Sequence, residues 1–190
     1  WLPNTEECRK ELAEFYQSIS RLDQGVGRLV AVLKELKAWD NTLVMFLSDN
    51  GPPFPGAKTT QYDAGALLPL LVKLPAQEAK PKTSDALVSW VDVTPTALDV
   101  CGVVPKPSPP VRPSENIGRL PTGGKPQPYQ FHGRSIQKAV GLEHAPEFNQ
   151  IFGSHTFHEV TMYYPMRTVI RGKFKLIWNI ASPLTYPLAS

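Results

Sequence analysis

Three observations predict an α/β layer fold. A long amphipathic helix opens the chain, apolar runs of strand length follow in alternation with helical punctuation, and a strand–turn–strand pattern closes it. With 190 residues, 42% hydrophobic and 19% charged, the chain can bury a core and is neither disordered nor a coiled coil. Its formal charge of +3 is too small to imply nucleic-acid binding without a clustered basic patch, and none is read from the sequence. Two cysteines permit one bridge at most and leave the redox compartment open.

The first element is a long helix. Asn4 or Thr5 is positioned to cap it, with Glu6 and Glu7 at the positive end of its dipole. Leu12, Phe15, Tyr16, Ile19, Leu22, Val26, Leu29, Val30, Leu33 and Leu36 form one apolar stripe. Gly25 and Gly27 weaken its middle, where a bend or a close helix contact is expected. Residues 42–47 (Thr-Leu-Val-Met-Phe-Leu) are apolar on both faces, which suits a central parallel strand covered by helices. Residues 67–74 form a second run in which Pro69 favours an edge position or an irregular start. A short helix follows, with Thr94 as cap, Pro95 in its first position and Gly102 just past its end.

Prolines then crowd residues 105–131, which read as a linker or surface loop. Beyond it, residues 160–164 read as a strand, and 166–170 and 174–178 as an antiparallel hairpin turning at Arg171-Gly172-Lys173. The expected division is therefore 1–104 as part of an α/β domain, 105–131 as linker, and 132–190 as the start of a small antiparallel subdomain. No run approaches the ~20 apolar residues of a membrane-spanning helix. Neither end reads as a natural terminus, so the sequence is expected to be a piece of a longer protein.

Chemistry concentrates at Ser48-Asp49-Asn50-Gly51, directly after the first apolar run. Ligands of open α/β sheets gather at strand carboxyl ends. Asp49 offers a carboxylate and Asn50 an amide oxygen, hard donors suited to Ca²⁺ or Mg²⁺, while Gly51 allows a tight exit. The tetrapeptide alone is also a common turn composition. A stiff Pro52-Pro53-Phe54-Pro55-Gly56 segment leads to Lys58, a point charge for an anionic group or an ordinary solvated lysine. His155 and His158 lie three apart, which in a strand puts them on opposite faces and argues against a shared metal. His132 and His144 read as loop residues.

The string Phe46-Leu47-Ser48-Asp49-Asn50-Gly51-Pro52-Pro53-Phe54-Pro55 resembles the metal-binding strand end of the sulfatase family. Val93-Thr94-Pro95-Thr96-Ala97-Leu98-Asp99 and Gly133-Arg134-Ser135 match the same family in the same order. Further stretches resemble its sulfamidase branch: Leu22-Asp23-Gln24-Gly25-Val26-Gly27, Phe152-Gly153-Ser154, His158-Glu159-Val160-Thr161-Met162 and Tyr164-Pro165-Met166-Arg167.

The resemblance implies an alkaline-phosphatase-like α/β fold with a small C-terminal domain. It implies hydrolysis of sulfate esters or sulfamates by a formylglycine made from cysteine, beside one bound Ca²⁺. In the sulfamidase branch the substrate is the N-sulfate of glucosamine residues in heparan sulfate, a sulfated glycosaminoglycan. Asp49 and Asn50 would be two metal ligands. Lys58 would stand where the branch has an arginine at the sulfate, His158 and Glu159 would contact the sugar, and Arg167 would be structural. Asn rather than His after the aspartate points away from the zinc-binding relatives.

The resemblance also implies a lysosomal or secretory location, and leaves a homodimer of the full protein open. One requirement is unmet. Neither Cys8-Arg9-Lys10-Glu11-Leu12 nor Cys101-Gly102-Val103-Val104-Pro105 is the Cys-x-Pro-x-Arg or Cys-x-Ala-x-Arg motif, so no catalytic nucleophile is expected in this chain. An O-sulfatase and a non-catalytic glycan-binding protein remain the alternatives.

Overall fold

The computed structural model describes residues 2–77, 80–103, 131–158 and 162–186. The chain forms two compact units: Trp1–Glu78 with Gly153–Thr168 and Ile177–Ser190, and Ala79–Phe152 with Val169–Leu176. The proline-rich stretch lies outside the described residues except for Phe131.

In the first unit, helix α1 spans Glu6–Glu35. The Thr5 hydroxyl accepts from Cys8 N–H at 3.2 Å, and Lys10 pairs with Glu6 at 2.8 Å one turn away. The helix runs unbroken through Gly25 and Gly27, and a side chain at either would meet open space. Among the described residues neither an interruption of the helix nor a close contact occurs there, where the sequence reading expected a bend or a close contact. The chain passes through a 3₁₀ turn, Trp39–Asn41, into strand β1 (Val44–Leu47).

Strand β2 (Leu70–Lys73) pairs with β1 antiparallel, Val44 opposite Lys73 and Leu47 opposite Leu70. This corrects the parallel arrangement expected of β1. A continuous apolar run reports cover on two faces and carries no information on strand direction, which the return through residues 48–69 sets. Pro69 stands just before β2, where a missing donor is harmless. Lys73 ties the end of β2 to the turn before β1. Its ammonium donates to the carbonyls of Trp39 (2.7 Å), Leu74 (3.2 Å) and Thr42 (3.4 Å) and lies 4.9 Å from the Trp39 ring centroid.

In the second unit, helix α3 is Val93–Val100; α2 is the one-turn helix Asp63–Ala66 of the first unit. Thr94 does not cap α3, which starts one residue earlier, continuous with a 3₁₀ turn at Trp90–Asp92. The capping chemistry sits upstream: the Asp92 carboxylate accepts from Ser89 N–H at 2.9 Å in a capping box. Gly102 (φ +65°) ends the helix as expected.

Asp92 is buried, and its other oxygen accepts from Arg134 N–H at 2.8 Å. Thr96, fully buried, donates to Asp92 O at 2.6 Å and accepts from Ile136 N–H at 3.1 Å. A Cβ at Gly133 would lie 2.1 Å from Val91 O. Residues 133–136 are thus clamped onto the start of α3 by paired buried polar groups, with Arg134 stacked 4.1 Å from the Phe148 ring. His144 has a partner that its loop position did not suggest, pairing with Asp85 at 2.8 Å.

Strands β3 (Gln150–His155), β4 (Met166–Arg171) and β5 (Phe174–Asn179) form a sheet in that order. The hairpin β4–β5 matches the sequence reading to within a residue at each end. The third strand does not lie at 160–164. Of those positions 160 and 161 fall outside the described residues, 162–164 are not strand, and β3 lies earlier. The polar pattern Gln-Ile-Phe-Gly-Ser-His concealed it, because Gly153 weakens strand propensity. A Cβ there would come within 2.6 Å of Gln61 Oε1, the end of a flexible side chain.

Candidate functional site

Strand β1 delivers residues 48–51 at its carboxyl end. Asp49 and Asn50 are exposed, and Gly51 is buried. The Ser48 hydroxyl donates to Asn50 O at 2.8 Å, and Asn50 Nδ2 donates to Gly51 O at 2.8 Å. The amide nitrogen is therefore engaged, and Oδ1 is the atom left for a cation. The Asp49 carboxylate has no hydrogen-bond or ion-pair partner among the described residues. Two hard oxygen donors on adjacent residues fit Ca²⁺ chemically, as a minority of the six to eight it takes. Among the described residues no group of three or more His, Cys, Asp or Glu side chains gathers to complete a metal set.

Gly51 is needed for closeness rather than for an unusual backbone angle. A Cβ there would fall 2.3 Å from Ala64 O and 2.8 Å from Gly65 Cα. At Gly65 it would fall 2.2 Å from Ala57 O and 2.5 Å from Thr60 O. The loop after β1 thus folds back on α2 with backbone against backbone. Ala57 is fully buried between them, and the buried Thr60 hydroxyl lies 3.0 Å from Ala57 O and 3.1 Å from Gly56 O. The Phe54 ring meets Phe15 of α1 edge-on at 5.3 Å, which seats the proline segment on the helix.

This packing brings Lys58 back toward the strand end. Its N–H donates to Pro52 O at 3.1 Å, and the side chain is half-buried. The next residue, Thr59, has φ +68°, the left-handed region that a β-branched residue rarely adopts. Such strain persists only where surroundings enforce it, and it concentrates at ligand clamps. No sequence signal marks it, since Thr-Thr reads as an ordinary polar pair.

Asp49, Asn50 and Lys58 therefore lie on one loop, which the Lys58 N–H closes onto Pro52 O. His158 is exposed and is not joined to that loop by any hydrogen bond or ion pair among the described residues. Glu159 lies outside the described residues. His155 ends β3, and partial burial, followed by the nearby His158, pushes its pKa below the ordinary imidazole value and favours the neutral ring. Arg167 donates to the carbonyls of Met166 (2.8 Å) and His155 (3.3 Å), a structural use of its guanidinium. Cys8 and Cys101 are unpaired. Among the described residues no helix is long and apolar enough to cross a membrane.

Comparison with known proteins adds to this geometry. A family model described as Sulfatase matches residues 3–103. The chain is 38% identical over 189 residues to human N-sulphoglucosamine sulphohydrolase, covering 99% of this chain and 35% of that protein. It is 33% identical over 107 residues to an ulvan-active sulfatase of Formosa agariphila, covering 56% of the chain and 18% of the relative. It is 31% identical over 94 residues to an endo-4-O-sulfatase of Bacteroides thetaiotaomicron, covering 47% and 18%. The chain thus spans about a third of the length of the first relative, at 35%, and less of the others.

Proposed function

Because the chain belongs to the sulfatase family, we propose that it supplies the carboxyl-end metal loop of a sulfate-ester or sulfamate hydrolase. Its substrate would be the N-sulfated glucosamine of a sulfated glycosaminoglycan. One observation supports the reading: Asp49 and Asn50 are adjacent residues at the carboxyl end of β1, with the Asp49 carboxylate and Asn50 Oδ1 unpartnered among the described residues, where the loop packs closely on α2 through Gly51 and Gly65. The likeness to the human sulphohydrolase favours the sulfamate. The O-sulfatase relative keeps a sulfate ester as the second reading.

Asp49 and Asn50 would hold one Ca²⁺, which supplies Lewis-acid stabilisation of charge on sulfate oxygens when bound. Lys58, half-buried on the strained turn, would neutralise the anionic group and orient it toward the strand end. As a lysine it offers a point charge without the two-pronged geometry of arginine. His158 and Glu159 would contact the sugar. Neither half-buried Cys8 nor exposed Cys101 has the sequence context of a formylglycine precursor, so the nucleophile of such chemistry is not one of this chain's cysteines. In keeping with the same reading, the protein would work in the lysosome or another secretory compartment.

The test uses the intact protein, with Asp49→Ala compared to wild type. Calcium affinity is measured by titration calorimetry, and hydrolysis is followed on N-sulfated and O-sulfated substrates in parallel. The reading expects calcium affinity and turnover to fall together. Unchanged calcium dependence in the variant would overturn it, and turnover of O-sulfated substrate alone would select the second reading.

A further inference from the structure

The hairpin tip carries a concentration of charge and exposed aromatic surface that the metal loop does not use. Residues 169–176 (Val-Ile-Arg-Gly-Lys-Phe-Lys-Leu) hold three cations and no acid, as much net positive charge as the whole chain's +3. Alternation along β5 divides them: Lys175 falls on the face opposite Phe174, which leaves Arg171 and Lys173 as the cations flanking Phe174. A two-residue turn, Gly172-Lys173, joins β4 to β5, so Arg171 stands opposite Phe174 and Val169 opposite Leu176, each pair on one face.

Strand β3 lies along the other side of β4. Gly172 N–H donates to Asn149 O at 2.9 Å, and a Cβ at Gly153 would lie 3.6 Å from that of Thr168. Period-two alternation then sets Phe152 beside Val169, on the face shared with Arg171 and Phe174. Among the described residues nothing covers that face: Phe174 is 83% exposed, Phe152 69% and Leu176 64%. Arg171 and Lys173 are exposed beside them.

We propose that this face is a second binding surface for a sulfated polysaccharide chain, separate from the metal loop. Pyranose rings present apolar C–H faces that stack on exposed Phe152 and Phe174, while their sulfate and carboxylate groups pair with Arg171 and Lys173. A patch that is both apolar and cationic fits a ligand that is both apolar-faced and anionic. A second copy of the chain fits poorly, because it would set the same cations against one another. The surface would hold a polymeric substrate at a distance from the bond being cleaved. In that role it rests on the proposed function, but its binding chemistry does not require turnover.

The experiment measures affinity of the intact protein for a heparin dodecasaccharide and its desulfated counterpart, by titration calorimetry at several salt concentrations. Arg171→Ser with Lys173→Ser, and separately Phe174→Ser, are compared with wild type and with Lys138→Ser as a control for the loss of one exposed cation elsewhere. The two cation losses should weaken dodecasaccharide binding about tenfold and flatten its salt dependence. Phe174→Ser should weaken it several-fold, whereas Lys138→Ser and the turnover of a monosaccharide substrate should be unchanged. Equal affinity in wild type and variants would overturn the proposal. So would an equal loss of binding to duplex RNA or to anionic lipid vesicles, which marks a general polyanion patch. If nothing is hydrolysed yet the variants lose the dodecasaccharide, the surface stands and the catalytic reading falls.

Discussion

One substitution, glycine to alanine, should have opposite effects at two places in this chain. At Gly51 the new methyl would sit 2.3 Å from Ala64 O and 2.8 Å from Gly65 Cα. Both are backbone atoms, so no rotamer relieves the clash. Relief needs a shift of about 1 Å between the loop and α2, since carbon contacts are comfortable only near ~3.5 Å. Overpacking of this kind costs roughly 1–3 kcal/mol. For a domain of this size that lowers Tm by about 2–4 °C per kcal/mol. At Gly25 or Gly27 the methyl meets nothing within 4 Å, inside a continuous helix. There alanine removes backbone entropy from the unfolded chain and should add about 0.5–1 kcal/mol. Urea unfolding of the three variants reads both signs. A neutral Gly51→Ala, or a destabilising Gly25→Ala, would refute the reasoning. Calcium titration adds a functional arm, because moving the strand end displaces Asp49 and Asn50 together, and Gly51→Ala should weaken binding even at temperatures where it stays folded.

Other expectations concern the second unit and the titrating groups. Asp92→Asn keeps the shape but turns an amide N–H₂ toward the N–H of Ser89 or of Arg134, and should cost about 1–3 kcal/mol in denaturant unfolding; a change below about 0.5 kcal/mol would count against the clamp. Thr96→Val removes both the donor to Asp92 O and the acceptor of Ile136 N–H, with a cost in the same range on the same assay. The hydrogen bond from His144, then that from Ala145 N–H, holds the Asp85 carboxyl below its ordinary value. A lowered carboxyl pKa gives stability that is present above the unfolded value and fades as pH falls through the folded one, so His144→Gln should move the Asp85 titration upward in an NMR pH series. His155 is also lowered, chiefly by burial, so stability should decline as pH drops below the ordinary imidazole value of 6.5. A ring that titrates at or above that value would contradict its partial burial.

Much of the fold was legible where local chemistry decides it. The stripe from Leu12 to Leu36 specifies α1, Gly102 specifies the end of α3, and Arg171-Gly172-Lys173 specifies the hairpin. The direction of β1 was not legible, because pairing depends on distant residues that periodicity does not report. Strand β3 was missed because Gly153, Ser154 and Gln150 dilute its apolar signal, and Gly153 lies against Gln61, which is distant in sequence. The candidate site divides in the same way. Asp49, Asn50 and Lys58 could be picked out by residue type, whereas the close approach at Gly51 and Gly65 and the left-handed Thr59 exist only in three dimensions. The grouping of Phe152, Arg171 and Phe174 on one face belongs with these, since only strand order brings β3 beside β4.

The clamp at Asp92 and Thr96 has an evolutionary consequence. Hydrogen bonds tie Asp92 to Arg134 and Thr96 to Ile136, side chain to backbone, across 42 and 40 residues of sequence. A Cβ at Gly133 has no room beside Val91 and Asp92. A change at any of these positions is felt by both segments at once, so Asp92, Thr96 and Gly133 should vary as a set rather than one by one.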